Sequence, residues 1–205
     1  MTKKQLRGDA KRESILEIAF QAFLDNGYAG TSMATIAARV GGSKGTLYSF
    51  FASKEELFFS VLDARIEVHG APIRAAIKAE GPPRQVLFGY GTKLMQAILS
   101  DAGLAFQRLI IAESERFPEL ARVFYERGPK RGLEELAQYF SRIMQEGLLR
   151  EADPLMVARQ FNALCRMDFK EKRLWGVLDT VSAEQIDETV RAAVETILAA
   201  YTPVQ

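Results

Sequence analysis

Residues 32–51, Ser-Met-Ala-Thr-Ile-Ala-Ala-Arg-Val-Gly-Gly-Ser-Lys-Gly-Thr-Leu-Tyr-Ser-Phe-Phe, leave this chain few ways to fold. Met33, Ile36, Ala37 and Val40 recur at spacings of three and four, which is one apolar face of a helix, and Ser32 is placed to cap it. Gly41-Gly42 ends that helix, because glycine takes the positive φ of a sharp exit. Ser43 is placed to cap a second, short helix. At about 100° per residue, Leu47 and Phe51 point into a core. Gly45 and Ser49 point away from it, Thr46 and Tyr48 flank them, and Lys44 stands at the leading end. These outward side chains are small, hydroxylic or cationic, so the face can approach phosphates and base edges closely. Such a helix is about 10 Å long at 1.5 Å per residue, and it fits end-on into a major groove roughly 12 Å wide.

The rest of the composition narrows the function. One cysteine and one histidine in 205 residues exclude a disulfide framework and leave no ligand set for zinc. No metal and no cofactor are expected. No apolar run reaches the length of a membrane span, and no apolar segment follows the basic N-terminus as in a secretory signal. A cytoplasmic protein is therefore expected, with no membrane partner. The net charge of +1 is unevenly spread. Residues 1–54 hold eight Lys/Arg against four Asp/Glu, a net of +4, and the remainder nineteen against twenty-two, a net of −3. A basic N-terminal segment beside a helix-turn-helix pattern suits a polyanion. Residues 1–8 read as a flexible basic arm. Its Lys3, Lys4 and Arg7 either touch phosphates or reach a minor groove, or they form a solvated tail.

Helical signals continue along the chain. A first helix runs from a cap at Asp9 to about Asn26, with Ile15, Ile18, Ala19, Ala22 and Phe23 inside and Asn26-Gly27 as its stop. Thr31 and Ser32 place hydroxyls at a helix N-terminus, for capping, for a phosphate, or for both. Ser53 and Glu56 form a capping box that opens a long helix to about residue 79. Lys54 lies in its first turn, where a cation gains nothing from the helix dipole, and a DNA phosphate would explain it. Further helices are expected over about 84–99, 102–115, 118–127 and 130–145, with Gly128-Pro129 as a break. Asp153-Pro154 starts another, to roughly residue 170, with Val157, Ala158, Phe161, Leu164, Cys165 and Asp168 on one side. Ser182 and Gln185 form a second capping box that opens the last helix. The fold class is all-α.

Residues 15–23, Gly27-Tyr28, Thr31-Ser32, Ile36-Ala37, residues 43–51 and the Ser-Lys-Glu-Glu-Leu of 53–57 together resemble the tetracycline-repressor (TetR) family. The match runs over about residues 9–58 without gaps. Residues 108–121 are similar to the C-terminal domain of the AefR-like subgroup. The resemblance implies a helix-turn-helix DNA-binding domain over residues 1–52, with its arm. A long helix joins it to a helical effector-binding and dimerisation domain over residues 53–205. It implies DNA-facing roles for Lys44, Gly45, Thr46, Tyr48 and Ser49, beside the capping Ser43, and a phosphate contact for Lys54. One departure is the Gly-Gly of the turn, where a single glycine followed by an apolar residue is common.

The family forms homodimers on palindromic double-stranded operators and responds to small effectors. Two copies of the short helix would then read two half-sites. By the same resemblance the dimer interface falls on the last two helices, at Phe161, Cys165, Ile186, Val190, Val194 and Ile197. Leu62, Ile66, Met95, Phe106 and Phe161 are candidates to line an effector pocket, with Asn162 as a polar contact; a filled core is the alternative. The function expected is a ligand-responsive repressor, or alternatively a regulator controlled by a protein partner. Gly41-Gly-Ser43-Lys-Gly45 also fits the nucleophile elbow of α/β-hydrolases. That motif needs a preceding strand and a histidine partner, but the preceding residues are helical in period and His69 stands late on a long helix. No enzyme is expected.

Overall fold

Helix boundaries follow the capping signals closely. The computed structural model describes residues 3–167 and 169–203, with side chains from Gln5; the side chains of Lys3, Lys4 and Asp168 lie outside the described residues. The helices are α1 (Lys3–Gly30), α2 (Met33–Val40), α3 (Lys44–Tyr48), α4 (Lys54–Ile77), α5 (Pro83–Leu99), α6 (Asp101–Glu113) and α7 (Pro118–Tyr125). A π-helical turn (Glu126–Lys130) leads into α8 (Arg131–Gln145), followed by α9 (Pro154–Arg166), α10 (Phe169–Leu174) and α11 (Ala183–Ala200). The described residues contain no strand. Ser182 and Gln185 complete a reciprocal capping box on α11, and Asp153 Oδ1 accepts from Leu155 N–H at 2.9 Å ahead of Pro154. At α4, Ser53 Oγ accepts from Glu56 N–H, while the Glu56 carboxylate reaches back one residue further than a capping box requires, to Ala52 N–H.

Three expectations change. Residues 3–8 are helical and continue α1, so they are not a flexible arm. Gly128-Pro129 does not break the chain; it lies within the π-helical turn that joins α7 to α8. The helix expected to reach residue 170 stops at Arg166, and a short α10 follows.

The chain packs as two compact units. The first takes the residues up to Glu67 together with Ala105–Phe124; the second takes Val68–Leu104 and the chain from Tyr125. Packing thus adds residues 53–67 and 105–124 to the N-terminal helices. The first core is strongly aromatic: Phe23 meets Phe58 edge-on at 5.1 Å, Tyr28 meets Phe117 at 4.9 Å, and Phe20 meets Phe106 at 5.7 Å. Burying each such ring stabilises by about 1.5–3 kcal/mol. Leu16 and Phe20 are buried beside the expected stripe of α1, which widens it. Arg65 pins α4 to α1, pairing with Glu17 and lying over the Phe20 ring.

In the second unit α5, α8, α9 and α11 pack on one another. Gly91 of α5 is required by the crossing, because a Cβ there would stand 2.6 Å from Val190 Cγ1 and 3.2 Å from Cys165 Sγ. Tyr201 Oη donates to Gln160 Oε1 at 2.5 Å, tying the end of α11 to α9. Phe161, Cys165, Ile186, Val190, Val194 and Ile197, expected at a dimer interface, are all buried inside this one chain's core. A side chain fully covered by its own chain has no surface left for a second subunit, so that expectation is corrected.

Candidate DNA-binding surface

Three backbone devices build the α2–α3 turn. Ser32 Oγ accepts from Thr35 N–H at 3.1 Å and caps α2. Gly41 takes a left-handed conformation (φ 68°), its N–H donates to Ala38 C=O and that of Gly42 to Ala37 C=O. This is a Schellman ending, which satisfies carbonyls the helix would otherwise leave open. Ser43 Oγ then accepts from Thr46 N–H at 3.1 Å and caps α3. Gly42 has no positive φ, and a Cβ there would meet Thr46 Cβ at an ordinary 3.7 Å. The departure from the Gly-apolar pattern therefore leaves the turn geometry intact.

The five-residue α3 divides as its sequence requires. Leu47 and Phe51 are buried at 2% and 1% exposure, and the Arg12 guanidinium lies 5.2 Å over the Phe51 ring. Ser43, Lys44, Gly45, Tyr48 and Ser49 are exposed and Thr46 is half-exposed. Ser49 Oγ donates to Thr46 C=O at 2.7 Å and closes the last turn. Among the described residues a Cβ built on Gly45 would meet only Ser43 Oγ, at an ordinary 3.6 Å. Nothing among the described residues requires glycine at that exposed position.

Two residues expected to meet DNA turn inward. Thr31 is 2% exposed, and its hydroxyl is directed between Ala22 C=O (3.0 Å) and Gly27 C=O (2.7 Å), covering carbonyls freed where α1 breaks at Gly27. It is therefore not presented to a phosphate. The Lys54 ammonium donates to Tyr28 C=O at 2.8 Å and Thr31 C=O at 3.0 Å and lies 4.4 Å over the Tyr28 ring. Burial, partly offset by Glu113, holds its pKa below the ordinary lysine value. Burial raises that of the Tyr28 phenol, with Glu55, Glu119 and Glu113 adding to it. Arg39 is also used within the unit, paired with Asp25 at 2.7 Å. Gln21 and then Arg39 hold the Asp25 carboxyl below its usual range. Part of the basic excess of residues 1–54 is thus spent on internal ties, which leaves Lys44 as the cation on the outer face of α3.

The six candidate pocket residues are divided between the cores. Leu62, Ile66 and Phe106 belong to the first, and Met95 and Phe161 to the second, which also buries Asn162. A groove of about 320 Å³ in the second unit is ringed by charged Lys78, Glu80, Arg142 and Glu146 beside Tyr139, a poor match for an apolar effector. Cys165 is fully buried, and its thiol is pushed up to about 12 by burial, so it lacks the exposed thiolate of a redox sensor. No group of His, Cys, Asp and Glu suited to a metal occurs among the described residues. No single helix is long and apolar enough to cross a membrane among the same residues.

A capped turn, an anchored short helix and an exposed polar face in an all-helical fold define a helix-turn-helix protein. Residues 15–61 match the family of bacterial regulatory proteins of the TetR type, and residues 85–203 match the AefR-like transcriptional repressor C-terminal domain. The chain belongs to the TetR family, whose members here are regulators and not enzymes. A TetR-family regulator from Mesorhizobium loti superposes with a TM-score of 0.84 at 28% identity, over 98% of this chain and 100% of that one. The Flavonoid-responsive Regulator FrrA gives 0.81 at 32% identity, over 96% and 100%. The transcriptional activator FasR of Mycolicibacterium smegmatis is 36% identical over 83 residues, 40% of this chain and 38% of FasR. The chain thus spans well under half the length of such curated relatives.

Proposed function

We propose that the chain acts as a homodimer that binds a palindromic operator, represses transcription there, and is released by a small apolar or amphipathic effector. The observation that carries this reading is the outer face of α3, where Lys44, Gly45, Tyr48 and Ser49 are exposed and Thr46 half-exposed while Leu47 and Phe51 hold the helix from behind. Lys44 is the candidate for a guanine contact, and Ser32 and Ser43 combine capping with access to phosphate. One five-residue helix makes few base contacts, so two copies on a two-fold axis are needed to specify a site.

The interface is assigned to the outward faces of α9 and α11, where Met156 and Ala163, and Ala192 and Ala199, stand exposed two turns apart. Repression is supported by the description of the C-terminal family, and a small effector by the flavonoid response of FrrA. The effector site is assigned to the second unit, which holds Met95, Phe161 and Asn162. With chromosomal DNA as its partner, the protein works in the cytoplasm.

The test is selection from random duplex DNA, followed by gel shift at physiological salt. The expected motif is a palindrome with half-sites about one helical turn or more apart, bound by a dimer. Lys44→Ala and Tyr48→Ala should each weaken it without loss of the dimer. Wild-type affinity in both variants, or a strictly monomeric protein, would reject the reading.

A further inference from the structure

The centre of the outward face of α3 carries no side chain. At about 100° per residue, Gly45 stands opposite the buried Leu47 and Phe51, with Ser49 one turn on. Gly45 is exposed, takes no positive φ, and a Cβ built on it meets no backbone and no apolar side chain of the described residues. Glycine is the poorest helix former after proline, and alanine the best. A helix of only five residues thus carries at its second position a residue that weakens it, with no return inside the fold. The return must come from a partner whose atoms need the space of that missing Cβ.

The neighbouring polar groups are already engaged. The Ser43 and Thr46 hydroxyls lie 3.1 Å apart, Ser43 Oγ also accepts Thr46 N–H, and Ser49 Oγ donates to Thr46 C=O at 2.7 Å. Helix N–H groups run along the axis, so across the face Gly45 offers only its Cα hydrogens. The half-exposed Thr46 and the exposed Tyr48 flank it, bringing a methyl group and a ring. The bare spot is therefore bordered by carbon.

Base edges in the major groove present hydrogen-bonding groups and one projecting apolar group, the C5-methyl of thymine. A polar edge pressed against bare Cα would lose its water without gaining a partner. A methyl group has no such bond to lose, and its burial is favourable.

We propose that the Cβ-free position of Gly45 seats the methyl group of a thymine in each operator half-site. Glycine is needed because a Cβ would hold α3 off the base. This rests on the reading of α3 as the DNA-facing helix. It adds the base that the bare position selects.

The experiment is gel shift of the full-length protein on the selected operator. Thymines are replaced by deoxyuridine, which lacks only the methyl, one symmetric pair of the two half-sites at a time. One pair should weaken binding about fifteenfold, from about fourfold for each buried methyl. Gly45→Ala should melt no lower than the wild type, because alanine favours the helix and has room. It should weaken the operator at least as much as that deoxyuridine pair does, and bind the thymine and deoxyuridine forms equally. Wild-type affinity in Gly45→Ala, a lower melting temperature in it, or a deoxyuridine effect that survives it would overturn the proposal. So would half-sites without thymine, or indifference to the methyl at every pair. Binding that Lys44→Ala and Tyr48→Ala weaken, with no thymine pair sensitive, rejects the methyl seat alone. Failure of the wild type to bind any duplex rejects the DNA-facing reading beneath it.

Discussion

Glu113 occupies the space that a side chain on Gly27 would need: a Cβ at Gly27 would stand 2.6 Å from Glu113 Oε1. The same oxygen accepts the Ala29 N–H at 3.3 Å. Gly27 itself sits at φ 72° and ψ 169°, a region essentially reserved for glycine. The end of α6 therefore braces the turn that leads from α1 to α2, within the unit that carries the DNA-binding surface.

Gly27→Ala meets two separate obstacles, the backbone conformation and the Glu113 oxygen. It should destabilise the protein by about 1–3 kcal/mol from conformation alone, and by more with the clash. Adding Glu113→Ala should recover only the steric part. Denaturant unfolding of the two single variants and the double variant gives this as a coupling free energy. Additive effects would show that Glu113 yields without cost.

The two glycines of the turn should respond with opposite sign. Gly41→Ala forces a left-handed alanine and should cost about 1 kcal/mol. Gly42→Ala has room and no positive φ, so it should leave stability unchanged or raise it by about 0.4–1 kcal/mol. Thermal unfolding of each variant checks this.

Lys44 and Lys54 should separate binding from stability. Lys44→Ala should leave the melting temperature unchanged, weaken operator binding, and reduce the salt slope of log K by about one if it contacts a phosphate, or relax one base position if it reads guanine. Lys54→Met removes two charge-assisted bonds to carbonyls and should destabilise by about 2 kcal/mol. Equal melting temperatures for the two variants would contradict the internal role of Lys54.

Cys165 should be inert in the folded protein. Its thiol ionises near 9 when unfolded and near 12 when buried. Its contribution to stability is therefore complete below about pH 9 and is lost as pH rises from there toward 12, where only the unfolded thiol releases its proton. Iodoacetamide labelling at pH 8 should track unfolding, and Cys165→Ala should flatten the stability decline above pH 9. Rapid labelling of the native protein would contradict the burial.

Local signals were legible and partners were not. Ser32, Ser43, Asp153 and Ser182 cap the helices they precede because capping needs only neighbours in the chain. Leu47 and Phe51 face inward because helical angle alone separates them from Gly45 and Ser49. Thr31 and Lys54 misled because their acceptors, the carbonyls of Ala22, Gly27, Tyr28 and Thr31, are opened only where α1 breaks at Gly27 and runs on to Thr31. Phe161 and Val190 misled for another reason. An apolar stripe shows that a face must be covered, and it is silent on whether the same chain or a second copy covers it. Asn162 was legible as a lone amide in an apolar helix, but the unpaired Nε of Arg166 emerged only from packing.

The short α3 keeps its anchors and its outer face on separate residues. Leu47, Phe51 and the Ser43 cap fix its pose, and the side chains of Lys44, Tyr48 and Ser49 stand exposed on the other side of the helix, with Gly45 between them. A lineage, or an engineer, could exchange those outward letters while the frame that holds them stays as it is.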